Sequence, residues 1–277
     1  MIKKLLLFLS LISLIFLVAC NSQPKKDPNL LIVGTSGDMP PFNFYDQNNK
    51  LVGFDIDISN EIAKRLNKKI EFQSVGFSRL IPSLNSGKVD VVVSALDNLE
   101  EMKDIVSYSE PYMYEITFFV VKNNLEIPLD DIFEVHGSEM KIGVNNGTTA
   151  SRYLREQGLD NNLSIYPSRT DLYLALNTDK VIGILADEDE WIYINNKLDE
   201  LNKNPNVNYP LLKKVGINPV YDHYMSIAVD KNNNELLEKI NVIIKEMKED
   251  GTLSKIGNEW LNREPFPRYA TSEEESK

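Results

Sequence analysis

The sequence predicts an α/β fold of strand–helix–strand units, on three observations. Short apolar runs of strand length alternate with stretches whose apolar residues recur every three or four positions. Clusters of glycine, proline and asparagine punctuate them in a rhythm that argues parallel βαβ units. Hydrophobic residues make up 42% of the chain, ample for a packed core.

Leu30 to Gly34 reads as a strand and Pro40-Pro41 as a turn. From Ile56 to Leu66 the apolar residues at 56, 58, 62, 63 and 66 mark one face of a helix. Ile70–Val75 reads as a strand, Phe77 to Leu84 as a helix stopped by Ser86-Gly87, and Val89–Val93 as a buried strand. Strands at Ile116–Val121 and Ile142–Val144 follow, then helices near Ala150–Glu156 and Asp171–Asn177 and the strand Val181–Leu185. A helix from Glu188 to about Leu201 runs into an Asn/Pro-rich loop at 202–210. Ser226–Val229 is strand-like. Leu236, Leu237, Ile240, Ile243, Ile244 and Met247 line one helix face, and after Gly251 a shorter helix runs to Trp260.

The N-terminus predicts the compartment. Lys3 and Lys4 precede an uncharged run from Leu5 to Val18, shorter than the roughly 20 residues of a membrane span. The run ends Leu17-Val18-Ala19-Cys20 and resembles the bacterial lipobox, whose cysteine is diacylated and becomes the first residue after cleavage. On that resemblance residues 1–19 are a signal peptide and Cys20 is the lipidation site. Residues 20–28 are then a polar tether that holds the protein to a lipid bilayer on the extracytoplasmic side. An ordinary signal peptide with a chance cysteine is the alternative, and Cys20 being the only cysteine counts against it. Two acyl chains, at ~0.8 kcal/mol per buried methylene, give stable attachment.

The formal charge of −11, with no basic stripe, argues against a nucleic-acid partner and says little about a ligand. Residues 266–277, ending Glu273-Glu274-Glu275-Ser276-Lys277, read as a disordered tail. No metal-ligand cluster, phosphate loop, dinucleotide fingerprint or nucleophile triad is present, so no metal or cofactor is expected.

Several segments, in order, carry a family resemblance. They are Gly34-Thr35 with Pro40-Pro41-Phe42-Asn43-Phe44 and Gly53-Phe54-Asp55-Ile56-Asp57, then Phe77-Ser78-Arg79-Leu80 through Ser86-Gly87-Lys88-Val89-Asp90. Ser109-Glu110-Pro111-Tyr112, Ile142-Gly143-Val144 with Gly147-Thr148-Thr149, and Asp250-Gly251-Thr252-Leu253 complete the series. Together they resemble the extracytoplasmic solute-binding proteins of polar amino-acid ABC importers. The resemblance implies a periplasmic-binding-protein-like fold of two α/β lobes joined by two hinge strands, near Phe119–Val121 and Tyr224–Ala228. Lobe one would comprise 29–119 plus 226–265 and lobe two 120–225, with the ligand in the cleft between them. A monomer that binds a small polar solute and delivers it to a membrane permease is the implied function.

The same resemblance places the ligand contacts. Gly147-Thr148-Thr149 opens a helix, where free N–H groups favour an anion, so Thr148 and Thr149 would face a ligand carboxylate. A plain threonine N-cap is the competing reading, and both can hold. Asp187 would pair with an ammonium, because a buried cation needs a partner; equally, it could cap the helix that starts at Glu188. Met39 and Phe77 would present an apolar face to the solute, although Phe77 could also be core. Ser94, Ala95 and Asn145 belong to the same implied cleft.

One stretch departs from the pattern. Asp97-Asn98-Leu99-Glu100-Glu101-Met102 stands where the family carries Thr-x-Thr-x-Glu-Arg, whose arginine clamps a carboxylate. Met102 occupies the arginine position and Asp97 the first threonine. Methionine donates nothing to a carboxylate, and an aspartate ~4 Å away repels one by ~4 kcal/mol at an effective dielectric of about 20. A capping box from Asp97 to Glu100 would explain Asp97 but not Met102. The expected solute is therefore an amine, a cation, or a modified or peptide-like molecule. A cleft enzyme resembling cyclohexadienyl dehydratases, with His223 as a candidate cleft residue, a sensor and a surface lipoprotein are the alternatives.

Overall fold

Asp55 and Asp57, the two acids in the first turn of the first helix, are already engaged in structure, which shows how tightly the chain's polar groups are used. In the computed structural model, which describes residues 27–126, 131–216 and 219–266, Asp55 is wholly buried and Asp57 accepts the Trp260 indole N–H at 2.7 Å. The expected signal peptide, the lipidation of Cys20, the tether up to residue 26 and the tail beyond Phe266 lie outside the described residues.

The first part of the chain forms β1 (Leu30–Thr35), β2 (Asp38–Met39), β3 (Asn43–Tyr45), β4 (Leu51–Val52), α1 (Phe54–Arg65), β5 (Lys69–Ser74), α2 (Leu80–Asn85), β6 (Val91–Val92) and β7 (Val106–Tyr108). The middle forms β8 (Met113–Lys122), β9 (Ile142–Asn145), α3 (Thr149–Glu156), β10 (Leu163–Tyr166), α4 (Arg169–Asn177), β11 (Gly183–Asp187), α5 (Glu188–Asn202) and β12 (Leu212–Lys214). The last part forms β13 (Tyr221–Met225), β14 (Ala228–Asp230), α6 (Asn234–Glu249) and α7 (Thr252–Leu261).

These elements make two α/β lobes. The lobe-one sheet has the order β5-β1-β6-β14-β7, and the lobe-two sheet β10-β9-β11-β8-β12, with β13 also paired to β8. β1 and β6 run parallel, as do β9 with β10 and with β11. The parallel units give way to antiparallel pairing where the chain changes lobe. β8 is antiparallel to β11, β12 and β13, and β14 is antiparallel to β6 and β7. A strand arriving from the other lobe enters its sheet from the opposite end, so no helical crossover precedes it.

Apolar periodicity decides which faces are buried. Val33, Val91 and Val229 of the first sheet pack on Phe54, Ile58 and Ile62 of α1 and on Ile240, Ile244 and Met247 of α6. Each such side chain contributes about 1.5–3 kcal/mol when fully buried. In lobe two, Phe119, Ile142, Val144 and Leu185 face Leu154 of α3, while Phe118, Val120 and Ile184 face Leu172 and Leu176 of α4. The near-continuous apolar runs of β8 and β11 follow from burial on both faces.

The first crossing lies earlier than the expected Phe119–Val121. Tyr112 and Met113 belong to the lobe-one core, whereas Phe118 and Phe119 already belong to lobe-two clusters. The chain returns along β13, whose register pairs Met225 with Met113 and Tyr224 with Tyr114. The two lobes are thus joined by a pair of hydrogen-bonded strands. A further small antiparallel sheet, β2-β3-β4, forms the rim around Asp38 and Met39. Among the described residues no helix is long and apolar enough to cross a membrane.

Candidate functional site

The carboxyl ends of the parallel strands in both lobes converge on one cleft, as open α/β sheets require of a ligand site. On the lobe-one side a buried polar floor holds the wall in place. The Ser36 N–H donates to Ser94 Oγ (3.0 Å) and the Ser36 hydroxyl to Asn43 Oδ1 (2.9 Å). Asn43 Nδ2 donates to Asp55 Oδ2 (2.8 Å), which also accepts the Ala95 N–H (2.7 Å). Ala95 has φ 44°, a left-handed conformation that an alanine keeps only where its surroundings hold it, and the bond to Asp55 does so. Burial pushes the Asp55 carboxyl up, with Tyr112, Asn43 and Ala95 pulling the other way.

On the lobe-two side Asn145 ends β9 and the chain turns through Gly147, at φ 79°, into α3. Thr148 is the N-cap: its Oγ1 accepts the Ser151 N–H (3.3 Å) and donates to the Asn145 carbonyl (3.0 Å). β11 delivers Asp187 to the N-cap position of α5, yet its side chain makes no capping bond. Instead Asp187 Oδ1 accepts the Thr117 hydroxyl (2.7 Å) and lies 3.3 Å from His223 Nε2. The other face of that imidazole meets lobe one, where Asp97 Oδ1 forms an ion pair with Nδ1. Burial would hold the His223 pKa down, but Asp97 and then Asp187 outweigh it and push it well above the ordinary imidazole value. Burial would likewise raise Asp187; His223, Thr117 and Arg169 together hold it below the usual carboxylate range.

A second buried ion pair stiffens the lobe-two wall. Arg169 Nε donates to Glu190 Oε1 (2.6 Å) and its Nη2 to Glu190 Oε2, while Nη1 reaches Asn145 Oδ1 (3.2 Å) and Nη2 also the Leu185 carbonyl (3.2 Å). Burial opposes the arginine's charge, but Glu190 more than offsets this and raises its pKa. Glu190 is raised by burial, with Arg169 countering. The Arg169 donors are therefore largely committed within the protein.

The cleft is shut. Asp38 Oδ2 of lobe one accepts the Arg169 backbone N–H of lobe two (2.8 Å), and Glu101 pairs with Arg152 (2.5 Å). The Phe44 and Tyr193 rings lie 5.4 Å apart, and a Cβ built on Gly147 would come within 3.3 Å of Ser78 Cβ. Between the lobes remains a cavity of about 60 Å³, room for a few waters.

The model of the bacterial extracellular solute-binding proteins, family 3, matches residues 31–263. The chain belongs to that family. A relative, ABC transporter arginine-binding protein 1 of Escherichia coli (strain K12), is 29% identical over 231 residues, covering 82% of this chain and 89% of that one. Among solved structures, an ancestral arginine-binding protein bound to arginine matches with a TM-score of 0.73 and 35% identity, covering 84% of this chain and 98% of that one. The ancestral amino acid-binding protein AncCDT-1, a precursor of cyclohexadienyl dehydratase, matches with a TM-score of 0.73 and 26% identity, covering 84% of this chain and 96% of that one.

This family-3 chain gathers most of the residues singled out from sequence at one place. Met39, Phe77, Ala95, Asp97, Asn145, Thr148, Thr149 and Asp187 all line the cavity. Ser94 and Met102 are not part of that lining. Ser94 is wholly buried with its hydroxyl turned to Ser36, and Met102 packs beneath the cleft on the cluster that includes Leu80, Leu84 and Val106. The capping box from Asp97 to Glu100 does not form. Leu99 holds the N-cap position of the short 3-10 turn Glu100–Met102, and Glu100 pairs with Lys103. Arg169, Thr117, Tyr221 and Asp38 also line the cavity without any signal in the sequence, because isolated polar residues in strands and at helix starts carry no spacing to read.

Proposed function

We propose that this chain is the lipid-anchored substrate-binding component of an ABC importer, held outside the cytoplasm by acylated Cys20, and that it captures a cationic amino acid or related amine as a monomer. The observation that carries the ligand class is the pair of carboxylates, Asp97 from lobe one and Asp187 from lobe two, meeting across the cleft at the His223 ring. Two acids facing inward need cations, and a solute bearing an ammonium or guanidinium supplies one. Met39, Phe77 and Tyr221 offer apolar surface for its carbon chain. A ligand carboxylate, where present, would lie against the first turn of α3 at Thr148 and Thr149. The arginine-binding relatives are in keeping with this choice.

Calorimetry of the mature protein against L-arginine, L-lysine, L-glutamine, L-cystine and agmatine tests the reading. Tight binding of a cationic member is expected, weakened by Asp187→Asn and by Asp97→Asn. Tight binding of L-glutamine alone, indifferent to Asp97→Asn, would overturn it. The anchor is tested separately: Cys20→Ser should move the protein from the membrane pellet to the soluble fraction. A cleft enzyme is the second reading, favoured by the likeness to the dehydratase precursor and by the His223–carboxylate cluster. Release of a product by the purified protein would establish it.

A further inference from the structure

His223 lies where the cleft's two carboxylates meet, and its ring chemistry decides what they can accept. Its Nε2 is 3.2 Å from Thr117 Oγ1 and 3.3 Å from Asp187 Oδ1. The single Thr117 hydroxyl proton already goes to Asp187 at 2.7 Å. A bare Nε2 would therefore face two oxygens with a lone pair and no proton between them. Nδ1 is buried without an aligned hydrogen-bond partner and lies at ion-pair range of Asp97 Oδ1, where a lone pair would again meet a carboxylate oxygen. Only the doubly protonated imidazolium suits both sides.

The other described cation that acts on these carboxylates is Arg169, which lines the cavity and helps hold Asp187 ionised but makes its ion pair with Glu190. Across β8, Glu115 is turned to Arg263 Nη2 (3.1 Å) and to the Ile116 N–H (2.9 Å). Arg169 is held by Glu190, Glu100 pairs with Lys103 beyond Asp97, and the Tyr221 ring lies 5.5 Å from the imidazole on the same strand. His223 thus supplies within the molecule the charge that the preceding reading assigns to a solute.

We infer that His223 is the specificity-determining residue of the cleft: its imidazolium is a resident cation seated between Asp97 and Asp187, and a ligand's ammonium or guanidinium enters that seat only in exchange for it. The inference rests on the cationic-ligand reading above and adds a consequence to it. Once displaced, the ring loses the two carboxylates that favour its charge, so ligand binding releases the ring's proton to solvent. A solute without a second cationic group leaves His223 in place and gains less from the cleft.

The chain holds two histidines, His136 and His223, so two ring systems need assigning in histidine-labelled protein, and His223→Gln identifies them. NMR of the ligand-free protein at about pH 7.5 should show His223 doubly protonated, and Asp97→Asn should lower its titration. Calorimetry with L-arginine and agmatine, in two buffers of different ionisation enthalpy, should show release approaching one proton per ligand. His223→Gln should abolish that release and tighten agmatine binding at least tenfold. A neutral His223 in the free protein overturns the proposal. So does a bound complex in which it stays doubly protonated, which leaves the ligand class standing. If neither probe binds the wild type or His223→Gln, the ligand class itself fails and the exchange falls with it.

Discussion

The Tyr112 hydroxyl donates to Asp55 Oδ1 at 2.8 Å, with both side chains wholly buried, and so ties the start of the first crossing strand to the first helix of lobe one. Tyr112→Phe keeps the ring against Phe54 and removes only the hydroxyl. A hydrogen bond to a charged group is worth about 1.5–3 kcal/mol, and Asp55 retains its bonds from Asn43 and Ala95. Urea unfolding should show a loss in that range with an unchanged slope.

Arg169 and Glu190 form a buried pair in which neither partner has water to fall back on. Arg169→Met removes the partner that favours the charged form of the buried Glu190, at a cost of ~3–5 kcal/mol. The double variant Arg169→Met/Glu190→Leu should recover most of that loss. A double-mutant cycle by chemical denaturation measures the coupling.

Gly147 combines φ 79° with the close approach of Ser78. Gly147→Val strains the turn by about 1 kcal/mol or more and wedges the lobes apart. Small-angle scattering should report a larger radius of gyration than for the wild type. An unchanged scattering curve would show that the neighbouring serine yields.

His223 titrates above its unfolded value because Asp97 and Asp187 outweigh the effect of burial. A raised folded pKa makes its contribution to stability complete below pH ~6.5 and progressively lost as pH rises through the folded value. The stability gap between the wild type and His223→Gln should therefore be widest below pH ~6.5 and shrink as pH rises through the raised folded value. A gap independent of pH would count against the ion pairs.

Met102 packs on the lobe-one cluster, outside the cavity lining. Restoring the family's arginine by Met102→Arg should consequently leave L-glutamine affinity within about threefold of wild type, under ~0.7 kcal/mol, as calorimetry can resolve. A gain of two orders of magnitude would mean that the segment 97–102 re-registers to bring the arginine into the cleft.

Local pattern carried much of the architecture. The stripe Leu236, Leu237, Ile240, Ile243, Ile244, Met247 lies on α6, and four of the six are buried. The Gly147-Thr148-Thr149 turn sits between β9 and α3 with Thr148 as N-cap, because glycine at positive φ followed by a threonine is a local helix-start signal. The crossing was misplaced by several residues, since the apolar run of β8 continues through both lobes and nothing in it marks the boundary.

By itself, the sequence determined the family, the helices, the strands β1, β5, β6, β8, β9, β11 and β14, and the presence of acids at 97 and 187, because those depend on neighbours a few residues apart. The short strands β2–β4, β7, β10, β12 and β13 carry no apolar run long enough to read. Tertiary structure alone decided what the acids face. Asp97, Thr117, Asp187 and His223 come from four distant segments, and only the pairing of β13 with β8 and the closing of the lobes bring them within hydrogen-bonding range. Asp187 could have capped α5; instead Thr117 and His223 claim its carboxylate, since a charged partner holds it more strongly than a helix end does.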